Sequence, residues 1–264
     1  MGKNGMSDDA DIGRILADIV EEAGRVIMPF WSHGGTVAHT SKADSSPVTE
    51  ADQAGERLIL ARLKEHFPDI PVIAEEQAAE FGTPDAIGPR FFLVDPVDGT
   101  KAFMKGDPNF TVNIGLIQDR WPVAGAVCAP ASDETWFTTA AGAMKRASGG
   151  AEAPVRVRPW PKGEAVCLIS HTMKPETVDR LAAEYGFDLR LALDSSIKFC
   201  RIADGTADIY PRHGPTSEWD IAAAHAVLEA AGGSVRGYED APFAYGKADK
   251  RFLNEWFVAR GAER

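Results

Sequence analysis

Two carboxylates three residues apart, Asp95 and Asp98, sit in the stretch Asp95-Pro-Val-Asp-Gly-Thr100, directly after the apolar run Arg90-Phe-Phe-Leu-Val94. Acids delivered together at the end of a buried strand can converge on one cation. Pro96 stiffens such a loop, Gly99 permits backbone geometry that a β-carbon forbids, and Thr100 adds a hydroxyl and an N–H. A hard divalent ion suits this donor set: magnesium takes carboxylate and carbonyl oxygens plus waters, and keeps positions open for a phosphate. The same six residues also make an ordinary surface turn, because Asp, Pro and Gly are the common turn formers.

Four further acids raise the same question. Glu75 and Glu76 follow the short apolar run Pro71-Val-Ile-Ala74, where a solvated strand edge is the plain alternative. Asp220, after Trp219, opens an Ala-rich stretch with no further acid until Glu229. An Asp there caps a helix, and it can also hold a metal while the helix N-terminus faces an anion. Asp52, in Thr49-Glu-Ala-Asp52, is likewise placed to cap the helix that follows.

The elements that must position these acids are legible from periodicity. Apolar residues at three- and four-residue steps predict an amphipathic helix over 11–30, with Pro29 near its end, and a second over 52–66. Strands are expected at 71–74 and 90–94, then as an antiparallel, meander-like series at 111–118, 122–129 and 135–139. Ser148-Gly-Gly-Ala151 and the prolines at 154, 159 and 161 suggest a boundary, giving halves 1–150 and 151–264. In the second half, strands at 165–170 and 207–210 alternate with helices near 175–185, 196–203 and 219–231, the last closed by Gly232-Gly233. The expected fold class is α/β, an α+β sandwich of alternating helix and sheet layers. Its site lies between the halves.

Composition narrows the function further. The 264 residues carry 28 basic and 39 acidic side chains, a formal charge of −11, so the chain as a whole repels polyanions and a nucleic-acid polymer is not the expected partner. No apolar run reaches the roughly 18 to 20 residues that cross a bilayer, and the first eleven residues lack a secretory core. A cytoplasmic enzyme is expected, with oligomeric state left open. Cys128, Cys167 and Cys200 are odd in number and set among apolar neighbours, which predicts reduced core thiols. The six histidines fall in no zinc-ligand spacing.

Taken together, Glu75-Glu76, Asp95-Pro-Val-Asp-Gly-Thr100 and Trp219-Asp-Ile-Ala-Ala with Ala231-Gly-Gly233 resemble the motifs of the inositol monophosphatase superfamily of magnesium-dependent, lithium-sensitive phosphatases, in that family's order. Other stretches are most similar to its CysQ-type 3′(2′),5′-bisphosphate nucleotidases. They are Ser41-Lys-Ala-Asp-Ser-Ser-Pro-Val-Thr-Glu-Ala-Asp52, Asp98-Gly-Thr-Lys-Ala-Phe103, Asn109-Phe-Thr-Val-Asn-Ile-Gly115, Ser195-Ser-Ile-Lys-Phe-Cys200, Asp208-Ile-Tyr-Pro-Arg212 with Gly214-Pro-Thr216, and Phe252-Leu-Asn254.

The resemblance implies a layered inositol monophosphatase-like fold and hydrolysis of adenosine 3′,5′-bisphosphate, a by-product of sulfur assimilation, to AMP and phosphate. The alternatives are phosphatases of the same fold acting on inositol phosphate, histidinol phosphate or fructose bisphosphate. It implies that Glu75, Asp95, the backbone oxygen of Val97, Asp98 and Asp220 hold two Mg2+ ions, with a third, weaker ion near Asp52 as an open alternative. Thr100, Asp52 and Glu75 would orient and deprotonate the attacking water, while the N–H groups of Gly99 and Thr100 cradle the phosphate. Ser195, Ser196, Lys198 and Arg212 would line the substrate pocket with the metal loop, and a peripheral seat at the inner face of the cell membrane is a further family trait. Lys101, Lys105 and Arg201 are additional candidate cations, His213 a pocket residue, and Phe103, Phe110 and Tyr210 candidate adenine contacts whose ordinary role is core packing.

Overall fold

The computed structural model describes residues 12–38, 40–41, 47–147, 150–161, 163–171 and 173–262. The leading segment 1–11, part of the polar link before Asp52 and the centre of the expected boundary, Ser148-Gly149, lie outside the described residues. Helix α1 (Ile12–Ile27) turns into a single 3₁₀ turn at Met28–Phe30, where Pro29 has no N–H to continue the ladder. Two-residue strands β1 (Thr40–Ser41) and β2 (Pro47–Val48) pair before α2 (Glu50–His66). Then β3 (Val72–Ala74) runs straight into a short helix, α3 (Glu75–Phe81).

The first sheet continues with β4 (Arg90–Asp98), which delivers the short helix α4 (Thr100–Met104), and then with β5 (Thr111–Gln118), β6 (Trp121–Ala129), β7 (Glu134–Thr139), β8 (Gly142–Arg146) and β9 (Glu152–Pro154). The seven strands β3 to β9 stand in sequence order, antiparallel except for β3 beside β4. The last of them lies just past residue 150.

Beyond it come β10 (Val166–Ile169), α5 (Pro175–Tyr185), β11 (Leu189–Ala192), α6 (Ile197–Ala203), β12 (Ile209–Arg212), β13 (Thr216–Ser217), α7 (Glu218–Ala230), β14 (Ser234–Arg236), β15 (Leu253–Asn254) and β16 (Phe257–Arg260). Five of these strands form a second, mixed sheet in the order β11-β10-β12-β16-β14.

The layers follow from how each strand splits its side chains. In β4, Phe92 and Val94 enter the core shared with α1 and α2, while Phe91 and Leu93 enter the core shared with α6 and α7. A strand buried on both faces reads as one continuous apolar run, which is why 90–94 does. In the second sheet Leu168, Tyr210 and Phe257 join that same central core, and Cys167, Ile209 and Val258 face α5 instead. The order is therefore helix, sheet, helix, sheet, helix, as the layered α/β expectation requires.

The central helix α7 lies directly on the first sheet. A β-carbon at Gly125 would stand 2.4 Å from the Ala223 carbonyl, and one at its cross-strand partner Gly115 2.7 Å from the Ala223 nitrogen. Paired glycines on the sheet and small residues on the helix bring the two backbones together, which sets α7 against β5 and β6, beside the strand that leads into the acidic loop. The three cysteines are buried and free, as expected of core thiols.

Candidate active site

The register of β4 against β5 slips between Asp95, opposite Asn113, and Asp98, opposite Thr111. Pro96 falls in this bulge, where no ladder N–H is needed. Asp95 is 2% exposed and its Oδ1 accepts the Val97 N–H at 3.0 Å. Gly99 ends the loop at φ +88°, and a β-carbon there would press on the Asn109 carbonyl at 3.1 Å and Ser195 Cβ at 3.2 Å. Glycine is required by both conformation and contact, and it is the point where the loop touches the start of α6.

Asp220 is the third residue of α7, and its Oδ2 accepts the Ser217 N–H at 2.8 Å. Asp52 holds the same position in α2, its Oδ2 accepting the N–H and hydroxyl of Thr49 at 2.8 and 2.6 Å. Both acids thus cap from inside the helix, as the third-residue half of a capping box whose N-cap is Thr49 or Ser217. This does not compete with chemistry, because a capping carboxylate is held in one orientation and α7 aims Asp220 at the loop.

Glu75, Asp98, Gly99, Thr100, Ser195, Ser196, Lys198, Arg212 and Asp220 line one cleft of about 930 Å³. Asp98 Oδ2 accepts the Ser196 N–H at 2.5 Å and stands 3.4 Å from Asn113 Nδ2, while the Ser196 hydroxyl donates to the Asp220 carbonyl. Fully buried Asn113 joins β5, α6 and the first turn of α7 in this way, with Nδ2 also 3.3 Å from Ser196 Oγ. It lies in a motif quoted for the resemblance, but nothing in the sequence marks its amide as a brace.

Electrostatically the acids behave as one group. Burial, then the charges of Glu75, Asp98 and Asp220, hold the Asp95 carboxyl well above the usual carboxylate range. Burial and the charges of Asp98 and Glu75 do the same to Asp220. Asp98 is raised by burial, against the opposing pull of Lys198 and Ser196. Among the described residues no group of three or more acidic, His or Cys side chains is already arranged round a common ion position. The donor set nevertheless fits a hard divalent cation, since these are oxygen donors only and each makes ionisation of the others unfavourable unless positive charge intervenes.

The cations separate into two kinds. Lys198 is 4% exposed; its ammonium donates to the carbonyls of Ser195 at 2.7 Å and Leu193 at 3.2 Å and stands 5.0 Å above the Tyr210 ring. Burial pushes its pKa down to about 8, against the pull of Asp98 and Asp194. Arg212 lines the cleft with Nη2 3.4 Å from the Pro215 carbonyl, and its buried Nε has no hydrogen-bond partner. Lys101 and Lys105 line the exposed rim.

Arg201, by contrast, pairs with Glu134 at 2.6 Å and lies over Trp136, and His213 stacks on Trp256. Phe103 and Phe110 pack edge to face in the core, leaving Tyr210 as the one of the three aromatic candidates in the cleft lining. The cleft also holds His33, Ser170, His171 and Asp194, which sequence reasoning missed. The signal was available for His171, since the expected strand 165–170 ends just before it.

The model of the inositol monophosphatase family matches residues 9–257.

The chain belongs to the inositol monophosphatase family.

Among its relatives is the 3′(2′),5′-bisphosphate nucleotidase CysQ of Escherichia coli O157:H7, 36% identical over 242 residues that cover 92% of this chain and 96% of that protein. Inositol monophosphatase 1 of Solanum lycopersicum is 31% identical, covering 88% of this chain and 86% of its own. The crystal structure of CysQ from Bacteroides thetaiotaomicron, a bacterial member of the family, superposes with a TM-score of 0.76 at 30% identity, over 98% of this chain and 99% of that one. The layered arrangement described above is accordingly the family's fold. No helix among the described residues is long and apolar enough to cross a membrane.

Proposed function

We propose that this chain is a magnesium-dependent 3′(2′),5′-bisphosphate nucleotidase that removes the 3′-phosphate of adenosine 3′,5′-bisphosphate, giving AMP and phosphate. The observation that carries the reading is a single cleft lined by Glu75, Asp98 and Asp220, whose negative charges disfavour one another, and by Arg212, whose buried Nε has no hydrogen-bond partner. The likeness to CysQ nucleotidases over nearly the whole chain supports it.

In this proposal Glu75, Asp95, the Val97 carbonyl, Asp98 and Asp220 hold two Mg2+ ions. Bound there, magnesium would offset the phosphate charge and lower the barrier to in-line attack by water. The Thr100 hydroxyl donates to the Val97 carbonyl at 3.1 Å, so its lone pairs are directed to accept a hydrogen bond from the attacking water. Glu75 takes the water's proton; Asp52, whose Oδ2 accepts from Thr49 and which is not among the residues lining the cleft, keeps a supporting role only by the family resemblance. The N–H groups of Gly99 and Thr100, at the start of α4, bind the scissile phosphate. Arg212 takes the second phosphate by charge-assisted hydrogen bonds. Lys198 fixes the carbonyls of the 193–195 loop and brings a positive charge near Asp98, while Ser195 and Ser196 shape the wall between.

The division into halves 1–150 and 151–264 assigns the metal loop to one and the substrate-selecting residues to the other. A cytoplasmic setting fits the acidic balance and the buried, free thiols. The test is phosphate release with Mg2+ over adenosine 3′,5′-bisphosphate, inositol 1-phosphate, histidinol phosphate and fructose 1,6-bisphosphate, with the nucleoside product identified. The proposal expects AMP and a clear preference for the adenosine compound. A preference for inositol phosphate would leave only the broader phosphatase reading.

A further inference from the structure

Helix α3 is the least supported element at the cleft. It is seven residues long, none of them buried, and the Ala74 side chain before it offers no cap. A helix this short is not stable by itself. Beside it the interface with α2 opens into a cavity of about 490 Å³, so packing does little to fix its direction. Yet α3 begins at Glu75. The parallel pairing ends at Ala74 opposite Val94, so Glu75 and Asp95 are the residues that follow the last pair.

What closes the first turn of α3 comes from another helix. Glu56, one turn after Asp52 in α2 and 4% exposed, directs both carboxylate oxygens at it: Oε2 accepts the Glu76 N–H at 2.7 Å and Oε1 the Gln77 N–H at 2.9 Å. These are the two N–H groups that a helix N-terminus leaves unsatisfied and that a capping side chain would normally take. Two charge-assisted bonds in a fork set rotation as well as distance. We propose that Glu56 is a positioning residue that fixes the Glu75 side chain over the cleft and thereby tunes divalent-cation affinity. It links the first turn of α3 to the helix that carries Asp52. This rests on the reading of Glu75 as a metal ligand.

The test is calorimetric titration of Mg2+ into the full chain, for the wild type, Glu56→Gln, and Asp208→Asn as a control. Asp208 is a buried carboxylate of the second sheet that accepts Arg158 at 2.6 and 2.8 Å and the Val166 N–H at 2.7 Å, outside the cleft lining. Glu56→Gln keeps one acceptor but turns an N–H toward the other N–H. It should weaken Mg2+ binding about 10-fold, the lower end of what supporting partners of metal ligands contribute. The Mg2+ concentration for half-maximal turnover should rise by the same factor, with kcat at saturating Mg2+ within about 3-fold of wild type. Asp208→Asn should lower the melting temperature and leave Mg2+ affinity unchanged. Should Glu56→Gln fail to fold, Glu56→Asp, which retracts the oxygens by one methylene, should show the same loss. Wild-type affinity in a folded Glu56 variant would overturn the positioning role alone. A wild-type chain that binds no Mg2+ would overturn the ligand reading and this inference with it.

Discussion

Asp95→Asn separates the site's chemistry from the fold's stability. Asparagine has the same shape, and its Oδ1 can still accept the Val97 N–H, so the loop keeps its turn while losing one buried negative charge. The folded-state pKa of Asp95 is raised by burial and by Glu75, Asp98 and Asp220. In the absence of divalent ions, the native state therefore binds more protons than the unfolded chain between the ordinary carboxylate pKa and the raised one. Stability from this group is present below the ordinary value and is lost as pH rises through that window. Removing the charge should make metal-free Asp95→Asn at least as stable as metal-free wild type at pH 8, with the difference vanishing near pH 4.

Magnesium should reverse the order. At a free concentration 100 times its dissociation constant, an ion binding only the native state adds about 2.7 kcal/mol. With an unfolding entropy of about 2.1 cal/mol/K per residue, that is roughly 5 °C in Tm for a chain of this length. Wild type should gain it and Asp95→Asn much less, and turnover should fall by more than ~10²-fold, since a ligand matters more than the partners that orient it. Scanning calorimetry at pH 5 and 8, with Mg2+ or with chelator, reads every term. An equal Mg2+ shift in both proteins, or metal-free wild type more stable than the variant at pH 8, would refute the reasoning.

Gly99→Ala should cost about 1–2 kcal/mol from the left-handed backbone alone and should disable turnover by driving the loop from Ser195, as urea unfolding and a phosphate assay would record. Thr100→Ala should lower kcat far more than it raises KM, because the hydroxyl orients water rather than holding substrate; a raised KM with intact kcat would make Thr100 a binding residue only. Away from the cleft, hydrogen bonds and charge from Arg201 and Lys145 outweigh burial and hold Glu134 at about 2, below its usual 4.5. That stabilisation is present above the usual value and lost as pH falls through about 2, so the stability gap between wild type and Glu134→Gln should shrink across that range in acid unfolding curves.

The acidic loop was legible because an apolar run and two carboxylates announce a buried strand with a chemical end, and because helix starts at Asp52 and Asp220 carry local capping signals. Strands β8, β9, β11, β14 and β16 were not. They are three to five residues of mixed polarity whose only reason to be extended is a neighbour already in place. Charges were harder still. Lys198 lies in one motif and Arg201 just past its end, yet tertiary packing buries the first on backbone carbonyls at the cleft and sends the second to Glu134. Glu56 drew no reading from the sequence, though its spacing of four from Asp52 puts both acids on one side of α2. Nothing local says that this side faces inward, because two inward acids make sense only once α3 and the loop are there to receive them.

The central claim concerns what the cleft hydrolyses. It is tested most directly by kcat/KM for adenosine 3′,5′-bisphosphate and inositol 1-phosphate, measured side by side with saturating Mg2+ on wild type and Arg212→Ala. A flat base and a second phosphate on one substrate, and neither on the other, should give at least ~10²-fold preference for the nucleotide, about 2.7 kcal/mol. Arg212→Ala should narrow that ratio by weakening the hold on the second phosphate. Equal or better efficiency with inositol 1-phosphate in the wild type would contradict the account.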